Sequence, residues 1–202
     1  MKETKKLVTL GILIIVVISG IAQVRAISAE NVGSAFVKVR YFSQNHAYNC
    51  GLASVQMVLY SSQGISVYQE EIKEEMNFIE GAGTGIFDII KPLKNRNATI
   101  VSSGIFKTQA YLRDCVDKGY FTIINIKFGQ NSNAGHFAVV TGYNETGFFL
   151  NDPWPEKWEK PEGRETGENA YISSGVLQEL WLFKLNWALT VAGANSVNSQ
   201  TL

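Results

Sequence analysis

The chain changes its periodicity at Gly119. Before that glycine, apolar residues recur three and four apart, the spacing that lines one face of an α-helix. After it, β-branched and aromatic runs alternate with Gly- and Asn-rich turns, as strands do. Helices followed by strands, with no internal repeat and no interior linker, predict one α+β domain with a helical N-terminal lobe packed on a mainly antiparallel sheet. At 202 residues the chain can bury a proper core without disulfide staples.

The helical half opens with residues 36–42, which alternate apolar and polar as a half-buried strand does. A polar loop follows, and Cys50-Gly51 opens an apolar helix over 52–62. There Leu52, Val55, Met57, Val58 and Leu59 repeat at helical spacing, and Gly64 stands at the C-terminal stop. Residues 66–69 have the form of a capping box for a second helix with a stripe of Tyr68, Ile72, Met76 and Ile79. Beyond the glycine-rich residues 81–85, the pattern predicts a short helix over 86–94 weakened at its end by Pro92, a strand over 98–102, and a helix from Thr108 to Gly119. Downstream come strands over 120–128, 136–143 and 148–151, then a polar loop from Asp152 to about Asn169. A last helix is capped by Ser173 or Ser174, and residues 187–192 add an edge strand.

The N-terminus adds a second constraint. Lys2, Lys5 and Lys6 precede an apolar run over residues 7–22, and Val24 and Ala26 are placed like the small residues of a cleavage site. The run is shorter than the ~20 residues that cross a bilayer comfortably. Residues 1–26 therefore read as a secretory signal, with a retained membrane anchor as the alternative; 27–192 form the domain and 193–202 a disordered tail. Removing 1–26 turns a balance of 18 basic and 18 acidic residues into 14 against 17. This mildly acidic chain has no basic stripe to neutralise phosphates, which argues against a nucleic-acid partner. Two cysteines make neither a disulfide framework nor, alone, a Cys-rich zinc site. Outside the cytoplasm thiols tend to be oxidised, so a free cysteine there needs a reason.

Few groups in this chain can do nucleophilic or general-base work near neutral pH. Cys50 stands at a helix N-terminus, where unpaired N–H groups and the helix dipole favour a thiolate, the nucleophilic form. His136 opens a strand directly after the turn at 129–135, and a neutral imidazole can take the thiol proton. The turn at 144–147 then brings the chain back antiparallel, which returns Asp152 toward the level of His136. A carboxylate there holds the second imidazole nitrogen and fixes its tautomer.

The segments Tyr41-Phe42-Ser43-Gln44, Asn49-Cys50-Gly51-Leu52-Ala53, Gly135-His136-Phe137-Ala138-Val139-Val140-Thr141-Gly142-Tyr143 and Asn151-Asp152-Pro153-Trp154 together resemble the C39-like cysteine peptidases of the papain-like superfamily. The resemblance covers about residues 36–192. It implies a papain-like fold, with Cys50 as nucleophile, His136 as general base and then acid, Asp152 as the orienting acid and Gln44 as a side-chain oxyanion donor. A Gln44 amide and the Cys50 backbone N–H would supply the two donors an oxyanion needs. The chain departs from relatives of the ABC-transporter type in having no transporter attached, which does not favour their export-coupled role.

The remaining features carry less chemistry. His46 lies four residues before Cys50 but lacks the ligand cluster of a metal site, so no metal is expected, nor any cofactor. Cys115 falls on the apolar face of its helix and reads as core. Residues 81–85 lack the Lys or Ser of a phosphate loop and read as a flexible connector. Trp154 and Gly135 are candidate substrate-groove residues, with Trp158 beside them. Asn97 and Asn144 head glycosylation sequons that matter only in a host that glycosylates secreted proteins. The sequence thus predicts an exported thiol hydrolase acting on peptide or protein substrates. A thiol acyltransferase or amidase on the same site and a secreted non-catalytic peptide-binding module of the same fold are the alternatives. Protein from the native host is expected to begin near Ile27, outside the cytoplasm. N-terminal sequencing checks this, and recovery of residues 1–26 in the membrane fraction would mean an anchor.

Overall fold

A computed structural model describes residues 33–194. The signal expected over 1–26 and nearly all of the tail expected over 193–202 lie outside the described residues. The elements run β1 (Ala35–Phe36), α1 (Cys50–Gln63), α2 (Gln69–Glu74), α3 (Ile90–Asn95), β2 (Ile100–Gly104), α4 (Gln109–Asp117), β3 (Phe121–Lys127), β4 (Gly135–Tyr143), β5 (Gly147–Asp152), β6 (Gly167–Ser173), α5 (Ser174–Leu182) and β7 (Ala188–Val191). The described strands form one antiparallel sheet in the order β2-β7-β3-β4-β5-β6, with β1 paired to the far end of β4.

Both faces of the sheet are covered. Leu52, Val55, Met57, Val58 and Leu59 of α1 join Ile123, Val139, Leu189 and Val191 in one apolar cluster, so α1 lies against β3, β4 and β7. Burying each such side chain contributes roughly 1.5–3 kcal/mol. Gly64, at φ 70°, stops α1, and its N–H bonds back to the Tyr60 carbonyl. Helix α4, capped by the Thr108 hydroxyl accepting the Tyr111 N–H at 3.1 Å, covers other strand residues. There Thr190 meets Tyr111 Oη at 2.7 Å, Thr122 Oγ1 at 3.0 Å and Cys115 Sγ at 3.7 Å. Helix α5 is capped by Ser173 and buries Leu177, Leu180 and Trp181.

Several elements differ from the sequence expectation, each for a local reason. Of the expected 36–42 strand only Phe36 pairs in the ladder, together with Ala35 just before it. The chain beyond it bonds to single groups instead: the Arg40 N–H donates to Ser61 Oγ at 2.9 Å, and the Val39 carbonyl accepts from Asn151 Nδ2 at 3.2 Å. The second helix begins at Gln69, where Glu71 accepts the Tyr68 N–H at 3.2 Å, and it ends at Glu74. Tyr68 and Ile79 lie outside it and are exposed, so the expected four-residue stripe does not form. The third helix starts later than expected, which puts Pro92 in its first turn, where a missing N–H loses no helical bond. Strand β2 is displaced by two residues from 98–102. Strand β6 falls partly in the expected loop, because Gly167–Ser173 shows little alternation of polar and apolar residues. Strand β7 is interior, between β2 and β3, although it was expected at an edge.

Asn151 ties this architecture together beside the site. Buried completely, it donates to the Val39 carbonyl and accepts the Asn169 N–H at 3.0 Å, linking the segment after β1 to β6. Asn151→Ala strands both backbone groups and is expected to lower unfolding free energy by ~1–3 kcal/mol in urea denaturation.

Candidate active site

The first residue of α1, the second of β4 and the last of β5 meet at one end of the sheet. Cys50 is a free thiol whose Sγ faces the His136 imidazole and the backbone N–H groups of Phe137 and Gly51. His136 Nε2 lies 2.7 Å from Asp152 Oδ1, and both side chains are almost wholly buried. With Nε2 so engaged, Nδ1 is the ring nitrogen left to exchange a proton with the thiol. The β4–β5 hairpin produces this meeting: Val139 pairs with Asn151, so Asp152 lies one step further toward the start of β4. Asp152 Oδ1 also accepts the Trp154 N–H at 2.9 Å, closing a turn around Pro153. Adjacent strand residues point to opposite faces, which sends Asn151 to Val39 and leaves the imidazole to Asp152.

The electrostatics follow from burial and neighbours. Burial alone pushes the Cys50 thiol up, but the hydrogen bond and charge of His136, with the N–H groups of Phe137 and Gly51, bring it below its ordinary value of 9.0. Burial, and then the positive charge of Arg164, holds His136 below its ordinary 6.5, against the opposing pull of Cys50. Arg164 was not anticipated from the sequence. Its side chain is 1% exposed and pairs through Nη1 with Asp152 Oδ2. Burial lowers it to about 9, so it remains a cation at neutral pH. No sequence signal marks Arg164, since it lies in an irregular loop without periodicity.

Gln44 was expected as an oxyanion donor. It is buried beside the site, but both amide hydrogens are already used: Nε2 donates to the carbonyls of His46 at 2.8 Å and Ala47 at 3.0 Å. The His46 carbonyl also accepts the Asn49 N–H at 3.1 Å, which tightens the loop further. In this geometry Gln44 braces the loop before Cys50. Its backbone N–H also bonds the Pro153 carbonyl at 2.8 Å, joining that loop to the Asp152 turn.

Cys50 and His136 open onto a cleft of about 530 Å³ that Gly135 and Trp154 also line. Trp154 packs edge-on against Phe128 at 4.7 Å and Trp158 at 4.8 Å. A Cβ at Gly135 would lie 2.9 Å from Asn125 Oδ1, so a side chain there would crowd the cleft. Residues 81–84 of the glycine-rich stretch, expected as a connector, form a wall of this cleft. Ile79 and Gly83 exchange two backbone bonds, 2.8 and 2.7 Å, and Gly83 at φ 83° passes so close to Tyr48 that a Cβ would lie 2.8 Å from its carbonyl oxygen. Cys115 lies in the core against Thr190. Among the described residues no cluster of three His, Cys, Asp or Glu side chains is placed to hold a metal, and no helix is long and apolar enough to cross a membrane.

Residues 36–178 match the Peptidase_C39 like family. The chain belongs to that family. It is thus a C39-like cysteine peptidase, and its α+β architecture is the papain-like one. Solved structures share the fold. A C39-like peptidase described as putative, from Bacillus anthracis, superposes with a TM-score of 0.63 at 14% identity, over 79% of this chain and 97% of that one. The peptidase domain of Streptococcus ComA, a bifunctional ABC transporter of a quorum-sensing pathway, gives 0.58 at 19% identity, over 76% and 98%. A double-glycine-motif protease from an AMS/PCAT transporter, in complex with the leader peptide, gives 0.56 at 18%, over 78% and 94%. No curated protein matches this chain.

The two lowered pKa values act on stability in the same direction. Cys50, held below 9.0, contributes stability that is present above that value and lost as pH falls toward the folded pKa. For His136, held below 6.5, the unfolded chain binds more protons in the window beneath 6.5, and stability again falls with pH. Urea midpoints are expected to decline from about pH 9 to about pH 5, and Cys50→Ala to flatten the upper part of that decline. A midpoint that rises on acidification over this range would contradict both shifts.

Proposed function

We propose that this peptidase is an exported hydrolase that cleaves peptide bonds through Cys50, His136 and Asp152. The observation that carries the reading is the buried His136–Asp152 contact beside a thiol at the start of a helix, open to a cleft. In the first step the Cys50 proton passes to His136 Nδ1 and the thiolate attacks the substrate carbonyl carbon. The resulting oxyanion meets the Cys50 backbone N–H, which at the first position of α1 has no intrahelical acceptor. Asp152 keeps Nε2 protonated and the ring oriented. His136 then returns its proton to the leaving amine, the C–N bond breaks, and a thioester remains on Cys50. Water attacks the thioester with His136 as base, releasing the second product and restoring the thiol. The half-open cleft, and the leader peptide bound to the AMS/PCAT relative, support a peptide as substrate.

The test is hydrolysis of a peptide library by the mature chain, read by mass spectrometry. Cys50→Ala is expected to abolish cleavage with unchanged circular dichroism, whereas Cys115→Ala keeps most of it. Asp152→Ala is expected to lower kcat by ~10² or more, the scale seen when an orienting carboxylate is lost. Asn151→Ala should reduce stability far more than kcat. Equal loss from Cys50→Ala and Cys115→Ala in folded protein would overturn the assignment.

A further inference from the structure

Arg164 is a buried cation that the chemistry above does not use. It comes from the long loop between β5 and β6, yet its side chain is 1% exposed. Three contacts hold it from different sides. Its Nη1 pairs with Asp152 Oδ2, its Nε donates to the Phe128 carbonyl at 2.8 Å, and its guanidinium carbon lies 5.6 Å from the centre of the Phe128 ring. The two Asp152 oxygens are therefore divided, Oδ1 toward His136 and the Trp154 N–H, Oδ2 toward Arg164. A carboxylate held this way cannot rotate without breaking an ion pair.

We propose that Arg164 is a positioning residue for the triad: it clamps the far oxygen of Asp152, fixes the carboxylate against His136, and offsets part of the negative charge that would otherwise keep the imidazole protonated. The proposal rests on the triad assigned above. Its physical basis is the arrangement of charge. The charged and titratable groups facing His136 are Cys50 from α1, Asp152 from β5 and Arg164 from the loop. The Phe128 ring, just past β3, also faces it and carries no charge. Asp152 favours the imidazolium and Arg164 disfavours it, so the pair sets how readily His136 accepts and returns a proton. A His136 that is easily deprotonated suits both halves of the reaction, since the same ring must take the thiol proton and then release it to the amine.

The test is an NMR titration of the histidine rings in the full mature chain carrying Cys50→Ala, which removes the thiol from the titration. Adding Arg164→Gln is expected to raise the His136 midpoint by about one pH unit or more, the scale of a neighbouring charge lost beside a buried group. Arg164→Lys, which keeps the charge, is expected to leave it near that of the parent. A residue that merely stabilised the loop would leave the midpoint unchanged. An unchanged or lowered His136 midpoint in folded Arg164→Gln protein overturns the proposal. Should Arg164→Gln fail to fold, Arg164→Met, which also removes the charge, takes its place: a His136 midpoint raised by about one unit supports the role, and an unchanged or lowered one overturns it. Because the titration reads no hydrolysis, failure here beside intact Cys50-dependent cleavage refutes only the role of Arg164.

Discussion

Asp152 carries a carboxylate with no exposed surface, and a charge in that position has to be met by opposite charge and hydrogen bonds. Much of the local architecture answers that need. The β4–β5 hairpin delivers His136 to one oxygen, the Pro153 turn delivers the Trp154 N–H to the same oxygen, and the β5–β6 loop folds back to bring Arg164 to the other. Two segments distant in sequence, the start of β4 and the β5–β6 loop, are thereby fastened to the end of one strand. The Gln44 loop is fastened there as well, through its bond to the Pro153 carbonyl, and that loop leads directly into Cys50. The Cys50 thiol and the His136 imidazole thus share a common anchor.

Close packing shapes the cleft as much as charge does. Gly51, directly after the thiol, lies against Thr84 so tightly that a Cβ would stand 2.4 Å from its methyl group, which draws the glycine-rich wall onto the start of α1. Gly135 performs the corresponding service on β4, leaving the cleft open beside Asn125. The aromatic contacts among Phe128, Trp154 and Trp158 then support the opposite side. Interiors at crystal-like density transmit such constraints, because an added methyl group has nowhere to go.

The two cysteines show what environment adds to residue type. Cys115 sits among strand residues with a threonine hydroxyl at 3.7 Å, no histidine at hand and no opening to a cleft. Cys50 meets an imidazole and two backbone N–H groups, and its thiol is held below its ordinary pKa. A thiolate is stabilised by donors and positive charge, and only one of the two positions supplies them.

The change of period at Gly119, the α1 stripe ending at Gly64 and the Thr108 cap were legible in the sequence, because each rests on interactions within a few residues along the chain. So were Cys50, His136 and Asp152, whose placement at a helix start, a strand start and a hairpin end is a matter of local geometry. The rest depended on distant partners. Strand β7 became interior when β2 and β3 closed on it from both sides, and the expected 36–42 strand gave up most of its ladder to Ser61 and Asn151. Gln44 turned its amide to the His46 and Ala47 carbonyls of its own loop, and a glycine-rich stretch became a wall through the approach of Tyr48. Arg164 acquired its meaning from a carboxylate 12 residues earlier, across a loop without periodicity. Local propensity is written in neighbouring residues and can be read from them, whereas the partner of a buried charge is chosen only when the chain has closed around it.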